Sequence, residues 1–257
     1  MLRNKVPEIT LLFWVTKILT TGMGETLSDF LVGHVDPVGA VLATAVLFAA
    51  AIVAQFTVRR YVPWLYWLVV VLVGVLGTMI ADFTHVVAGV PYLVSTSVFL
   101  VLLVAVFVTW RVVEGTVDVH AIDTRRREAF YWAAVVATFA LGTAAGDLVA
   151  SRFHLGYLLG GAVFVAAMCV PIALYLGRAL AAVPAFWVAY VLTRPVGASF
   201  ADWGAVSSAR GGLGFGTGPI SAVLAVLIVV CVAVLSVRQS RRADLDTREW
   251  PADSLAP

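Results

Sequence analysis

Tryptophan, glycine and aspartate recur at one spacing four times along the chain: Trp14, Gly24 and Asp29; Trp67, Gly77 and Asp82; Trp132, Gly142 and Asp147; Trp187, Gly197 and Asp202. In each copy the glycine stands ten positions after the tryptophan, and the aspartate five after the glycine. With only eight tryptophans in 257 residues, a threefold match repeated four times is not coincidence. Each copy is one unit that buries its apolar surface against the others.

The solvent for these units is lipid. Hydrophobic residues make up 61% of the chain and charged residues 12%, against about 25% charged in soluble domains. Apolar runs reach the roughly 20 residues that carry a helix across about 30 Å of hydrocarbon. Strand-like alternation is missing from them, so helices must satisfy the backbone. The breaks place spans near residues 9–31, 38–58, 63–86, 91–112, 129–151, 155–177, 182–205 and 217–237. The expected fold is all-α: a polytopic bundle of about eight transmembrane helices in four tandem two-helix repeats, near 9–58, 63–112, 129–177 and 182–237. Residues 1–257 then form a single membrane domain, ending in a polar, flexible cytoplasmic tail over 238–257.

Charge sets the orientation. With the N-terminus inside, 13 of the 17 basic residues fall in cytoplasmic segments; Arg152 and Arg210 lie opposite, and Lys17 and Arg194 lie within spans. Both termini are therefore expected in the cytoplasm. The polar connection from Glu114 to Glu128 divides two four-helix halves. Arg3, Lys5, Pro7 and Glu8 do not make a cleavable signal peptide. The formal charge of +2, scattered at the ends of apolar runs, implies no nucleic-acid partner; the bilayer is the expected one. Cys169 and Cys231 have no CxxC spacing and read as small core residues. No cofactor is expected.

The aspartates are 53, 65 and 55 residues apart, and each interval holds two spans, so all four copies enter the membrane in the same direction. Fifteen residues of helix span about 22 Å. The tryptophans then lie toward the cytoplasmic interface, and the aspartates surround an outward-facing region.

With Trp14, Trp67, Trp132 and Trp187 and their partner glycines and aspartates in place, the chain resembles a family of bacterial membrane proteins. These are built of four tandem repeats of unknown function, each with two transmembrane regions and a characteristic tryptophan. The resemblance covers Trp14 to about Leu235. It implies the repeat fold and a bacterial inner (plasma) membrane location, and carries no activity.

The repeat residues have plain structural readings. The tryptophans anchor helices at the headgroup level, or pack between helices or touch a ligand. Gly24, Gly77, Gly142 and Gly197 admit close helix approach, or break their helices to expose carbonyls. The aspartates are harder to set aside, because a carboxylate at the centre of a span costs about 2.5 kcal/mol or more. They cap a following turn or sit in the wet headgroup zone, or they hold a cation or proton.

Two copies break the symmetry. The first adds Lys17 and Glu25, and the fourth adds Arg194. Glu25 and Asp29, four residues apart, share a helix face; Lys17 is turned about 80° from Glu25 and reaches it only in part, or pairs with an aspartate of another copy. Five acids, Glu25, Asp29, Asp82, Asp147 and Asp202, face two bases, so some are protonated or a cation sits among them. His34, His85 and His154 follow the first three aspartates as solvated loop residues or a metal entry. The glycine-rich stretch from Gly211 to Gly218 lacks the phosphate-loop lysine and reads as a flexible external loop.

Two functions follow. One is a transporter or channel for a cation, a divalent metal or a proton-coupled small solute, binding at the five acids with Lys17 and Arg194 as charge partners. The other is a non-transporting scaffold or assembly partner whose charges pair internally and whose segment from Glu114 to Glu128 docks another protein. No Ser–His pair or HExxH spacing suggests an enzyme. Oligomeric state is not legible.

Overall fold

The computed structural model describes residues 5–152 and 155–249. Eight α-helices account for most of them, and no strand occurs among the described residues. They are α1 (Leu11–His34), α2 (Pro37–Thr57), α3 (Pro63–Asp82), α4 (Tyr92–Glu114), α5 (Arg125–Asp147), α6 (Gly156–Leu176), α7 (Ala182–Ala205) and α8 (Thr217–Glu249).

Local chemistry sets the ends. Side chains of Thr10, Asp36 and Thr124 accept from the backbone N–H of Phe13, Gly39 and Arg127, capping α1, α2 and α5. Pro37 and Pro63 occupy first turns, where no backbone donor is needed. Gly115, at φ +72°, ends α4 in a left-handed turn. Helix α8 runs well past the expected end at 237, through an Arg-rich stretch without Gly or Pro. The rest of the expected tail, 250–257, lies outside the described residues.

Helices α1, α3, α5 and α7 form a closed inner ring, with α1 and α5 each touching both α3 and α7. Every even helix packs on the odd helix that follows it, and α8 closes the circle by packing on α1. Burial separates two layers. The apolar windows of α3 and α5 are 67% and 56% buried, against 17%, 17%, 22% and 11% for α2, α4, α6 and α8. The outer helices expose Leu42, Val101, Val163 and Val230 among many others, a surface made for hydrocarbon.

Six helices, α2 to α6 and α8, are long and apolar enough to cross a membrane. This is fewer than the eight spans expected. Helices α1 and α7 have 24 residues each, ample length, but Lys17, Glu25, Asp29, Arg194 and Asp202 lower their hydropathy. Most of that polar surface is turned into the ring.

The four inner helices run the same way, since equivalent positions meet. Phe13 lies 5.7 Å from Trp67 and 6.1 Å from Phe186, Tyr66 lies 5.5 Å from Trp132, and Tyr131 lies 6.0 Å from Trp187. Headgroup anchoring does not describe the repeat tryptophans. Trp67, Trp132 and Trp187 are only 1%, 4% and 5% exposed, packed with Phe13, Tyr66 and Tyr131 at one end of the ring, and Trp14 is half-buried against them. Large aromatic rings fill the space where the four helices meet. Trp64, by contrast, is exposed.

Both polar connections are fastened. In the segment between α4 and α5, Glu114 accepts from Arg126 and, at 2.9 Å, from Arg127, while Val119 and Ile122 are buried. The glycine-rich stretch folds back on α7 rather than hanging free. Backbone N–H groups of Leu213, Gly214, Phe215 and Gly216 donate to carbonyls of Trp203, Val206, Gly204 and Ala205. These are carbonyls that a helix end leaves without partners. Gly214 and Gly216 take φ of +78° and +85°, which other residues rarely adopt.

Candidate functional site: a polar axis through the inner ring

A single register connects the inner helices. Taking every fourth residue, α1 presents Phe13, Lys17, Thr21, Glu25 and Asp29, and α3 presents Tyr66, Val70, Gly74, Thr78 and Asp82. Helix α5 presents Tyr131, Val135, Phe139, Thr143 and Asp147, and α7 presents Phe186, Tyr190, Arg194, Ala198 and Asp202. Four residues are just over one helical turn, so each set forms a stripe, and the stripes stack into levels from an aromatic end to an acidic end.

The repeat glycines let these stripes meet. All four lie within continuous helix, so they do not break it. A Cβ on Gly24 would stand 2.8 Å from the Gly74 carbonyl carbon, and one on Gly142 would stand 2.5 Å from Arg194 Cγ. A Cβ on Gly197 would run into Thr21, and one on Gly77 would press on Phe139. Close approach is the role of all four.

Into the space beside Gly142 comes Arg194, 1% exposed, reaching every other inner helix. Its Nη2 donates to Glu25 Oε2 at 2.6 Å, to Thr143 Oγ1 at 2.9 Å and to Thr78 Oγ1, and its Nη1 donates to the Thr21 carbonyl at 3.0 Å. One guanidinium thus ties four repeats together with charge-assisted bonds. Among the described residues Lys17 reaches no acid. Its Nζ lies 4.1 Å from the Phe139 ring and 4.3 Å from the Tyr190 ring, 1% exposed and with no hydrogen-bond partner among them. Arg194 Cζ lies 5.6 Å from the same Phe139 ring.

Past Glu25 come the aspartates. Asp82, Asp147 and Asp202 are half-buried and Asp29 is exposed. Glu25 acts electrostatically on all four, as do Asp29 and Asp147 on Asp82 and Asp202. None of the four makes an ion pair or side-chain hydrogen bond among the described residues. Asp82 leads into a π turn, Phe83–Val87, without capping it, and Asp147 leads into another, Leu148–Arg152. Glu25, Thr143, Asp147, Tyr157, Ser199 and Asp202 border a cavity of about 10 Å³, room for a single water.

The histidines stand apart. His34 Nδ1 donates to the Phe30 carbonyl at 2.9 Å, and its ring stacks on Phe30. His85 Nδ1 donates to the Val90 carbonyl at 3.1 Å, beside Tyr92. His154 lies outside the described residues. Among the described residues no three His, Cys, Asp or Glu side chains gather as metal ligands.

Several axis residues escape sequence reasoning. Thr78 and Thr143 follow Gly77 and Gly142 as Glu25 follows Gly24, and Tyr66 and Tyr131 precede Trp67 and Trp132. The positions were visible; their shared role was not, because the residue type changes between copies.

An inner ring of four like-directed helices, closed by buried polar contacts and wrapped in four apolar helices, defines a multi-pass helical membrane protein of internal fourfold repetition. The chain belongs to the family described as Repeat of Unknown Function (DUF347), which matches residues 12–61, 65–116, 130–179 and 185–241. Each match takes in one inner helix and the outer helix after it. No curated protein and no solved structure matches the chain.

Proposed function

We propose that the protein is a cation transporter of the bacterial inner membrane in which the acidic end of the axis receives the cargo and the Glu25–Arg194 pair closes the way behind it. All eight helices cross the bilayer, with both termini in the cytoplasm, as the basic residues indicate. The observation that carries this reading is the imbalance at the acidic end. Glu25 acts electrostatically on Asp29, Asp82, Asp147 and Asp202, yet the Arg194 guanidinium donates to Glu25, Thr78 and Thr143 and to none of the aspartates. Unpaired carboxylates held together in a membrane protein attract a compensating positive charge, a proton or a metal ion. Neutralising Glu25 by proton or cation weakens its hold on Arg194 and frees the axis, which is the coupling a transporter needs.

The test is flux in proteoliposomes. Asp147→Asn and Asp202→Asn are expected to abolish cation-dependent flux while the protein still inserts and elutes normally. Undiminished flux in both variants rules the reading out. A second reading, a membrane scaffold without transport, draws on the pairing of Lys5 with Glu128 and of Glu25 with Arg194. It requires wild-type vesicles to show no flux of protons or metal cations at all.

A further inference from the structure

We propose that the axis of the inner ring is a proton path, with Lys17 carrying protons between Glu25 and a tyrosine cluster at the aromatic end. This rests on the transport reading and names its coupling ion.

The levels of the axis supply the path. From the acidic end they hold the aspartates, then Glu25 with Thr78 and Thr143, then Arg194, then Lys17 with Tyr190, then Tyr66 with Tyr131. Sixteen residues of helix separate the first level from the last, about 24 Å, most of the roughly 30 Å of hydrocarbon. Tyr66 and Tyr131 hydroxyls are 2.5 Å apart. The Tyr190 hydroxyl is buried beside them and interacts with both. Each level except that of Arg194 holds a group that can accept and release a proton. The guanidinium keeps its protons, so Arg194 acts as the shutter.

Lys17 is the residue that the fold otherwise leaves without work. Its nitrogen lies between the faces of Phe139 and Tyr190, with Arg194 over the same Phe139 ring and no acceptor for its N–H groups among the described residues. A nitrogen held by ring faces and tied to no carboxylate can exchange a proton with water that enters beside it. A purely structural residue would be an apolar side chain, as Val70 and Val135 are at the equivalent positions.

The transfer balances. A proton from the acidic chamber makes Glu25 neutral and Arg194 leaves the axis. Glu25 and Lys17 are two turns apart, about 12 Å, a gap bridged by water admitted in place of the guanidinium. The Glu25 O–H bond breaks and an N–H bond forms on Lys17, leaving a carboxylate and an ammonium. Lys17 then returns to the amine as one N–H bond breaks and the Tyr190 oxygen takes that proton, Tyr190 gives its own phenolic proton to Tyr131, Tyr131 gives one to Tyr66, and Tyr66 gives one to cytoplasmic water, so each phenol ends with the single proton it began with. Recovery of the Glu25 charge draws Arg194 back.

The experiment uses the full chain in proteoliposomes with a trapped pH-sensitive dye, under a potassium diffusion potential set by valinomycin. Wild type is expected to acidify the lumen, and Lys17→Met to slow this at least tenfold. Methionine keeps the length of the side chain and its ring contacts, so elution and melting should match wild type. Tyr131→Phe, which keeps the ring and removes the hydroxyl, should also slow the flux, and it decides the matter if Lys17→Met does not fold. Wild-type rates in the folded variants overturn the proton path. If Asp147→Asn stops cation flux while Lys17→Met and Tyr131→Phe do not alter proton flux, the path falls and the transport reading stands. If wild-type vesicles move neither protons nor metal cations, both fall.

Discussion

Arg194 of the fourth repeat and Glu25 of the first meet at 2.6 Å in the centre of the ring, both almost wholly buried. A buried ion pair adds little over a well-packed apolar pair, but losing one partner strands a charge. Arg194→Met is therefore expected to destabilise the protein by about 3–5 kcal/mol, and the double variant Glu25→Met with Arg194→Met to recover much of that. Denaturant titration in detergent measures both. A double variant no better than the single one contradicts the pairing argument.

Gly142 is predicted to tolerate no side chain. Its Cβ would stand 2.5 Å from Arg194 Cγ and 2.6 Å from Arg194 Cβ, so Gly142→Ala should cost about 1–3 kcal/mol through overpacking. Gly33, exposed near the end of α1 with nothing close to its Cβ, is the control. Gly33→Ala should be neutral or stabilise by up to about 1 kcal/mol. Thermal melts of the two proteins give the comparison.

Trp187 donates from its indole nitrogen to the Val117 carbonyl at 2.8 Å, joining α7 to the segment between the halves. Trp187→Phe removes that donor and should cost about 1–3 kcal/mol. Exposed Trp64→Phe should stay within about 0.5 kcal/mol. Equal melting shifts for the two would mean that the interior position of Trp187 has no energetic consequence.

At the aromatic end, Lys5 Nζ donates to Glu128 Oε2 at 2.6 Å, and Gln55 supports the same carboxylate. The pair is 2% and 1% exposed. Glu128→Ala leaves the lysine with only the Gln55 and Phe56 carbonyls, each at 3.4 Å, so the segment from Lys5 to Ile9 should loosen and become open to protease. Brief digestion followed by mass spectrometry detects the cut, and protection equal to wild type counts against the latch.

How much of this was legible follows from what hydropathy records. Span lengths, the four copies and their common direction came through because apolar runs and the Trp–Gly–Asp spacing lie along the chain. Rotation about each helix axis does not. Lys17 was read as partner to an acid and is found on two rings; Arg194, read as a charge partner of the acids, does pair with Glu25, but its reach to Thr21, Thr78 and Thr143 was not legible. Tryptophan in membrane proteins is commonest at interfaces, which hid the interior role of Trp67, Trp132 and Trp187. Loop residues such as Gly214 showed no sign of the α7 carbonyls they satisfy, since those contacts depend on a backbone path.

The closure of α8 on α1, and of Arg194 on Glu25, bears on how the protein is made. The charges of α1 wait for a partner 169 residues further along the chain, which at roughly 5–20 residues per second is on the order of 10–30 seconds of synthesis. During that interval the first helix has no finished ring to enter, so its lysine and glutamate must be sheltered by the insertion machinery or by neighbouring nascent helices. Biogenesis here is a matter of delayed completion, with the last two helices releasing the first.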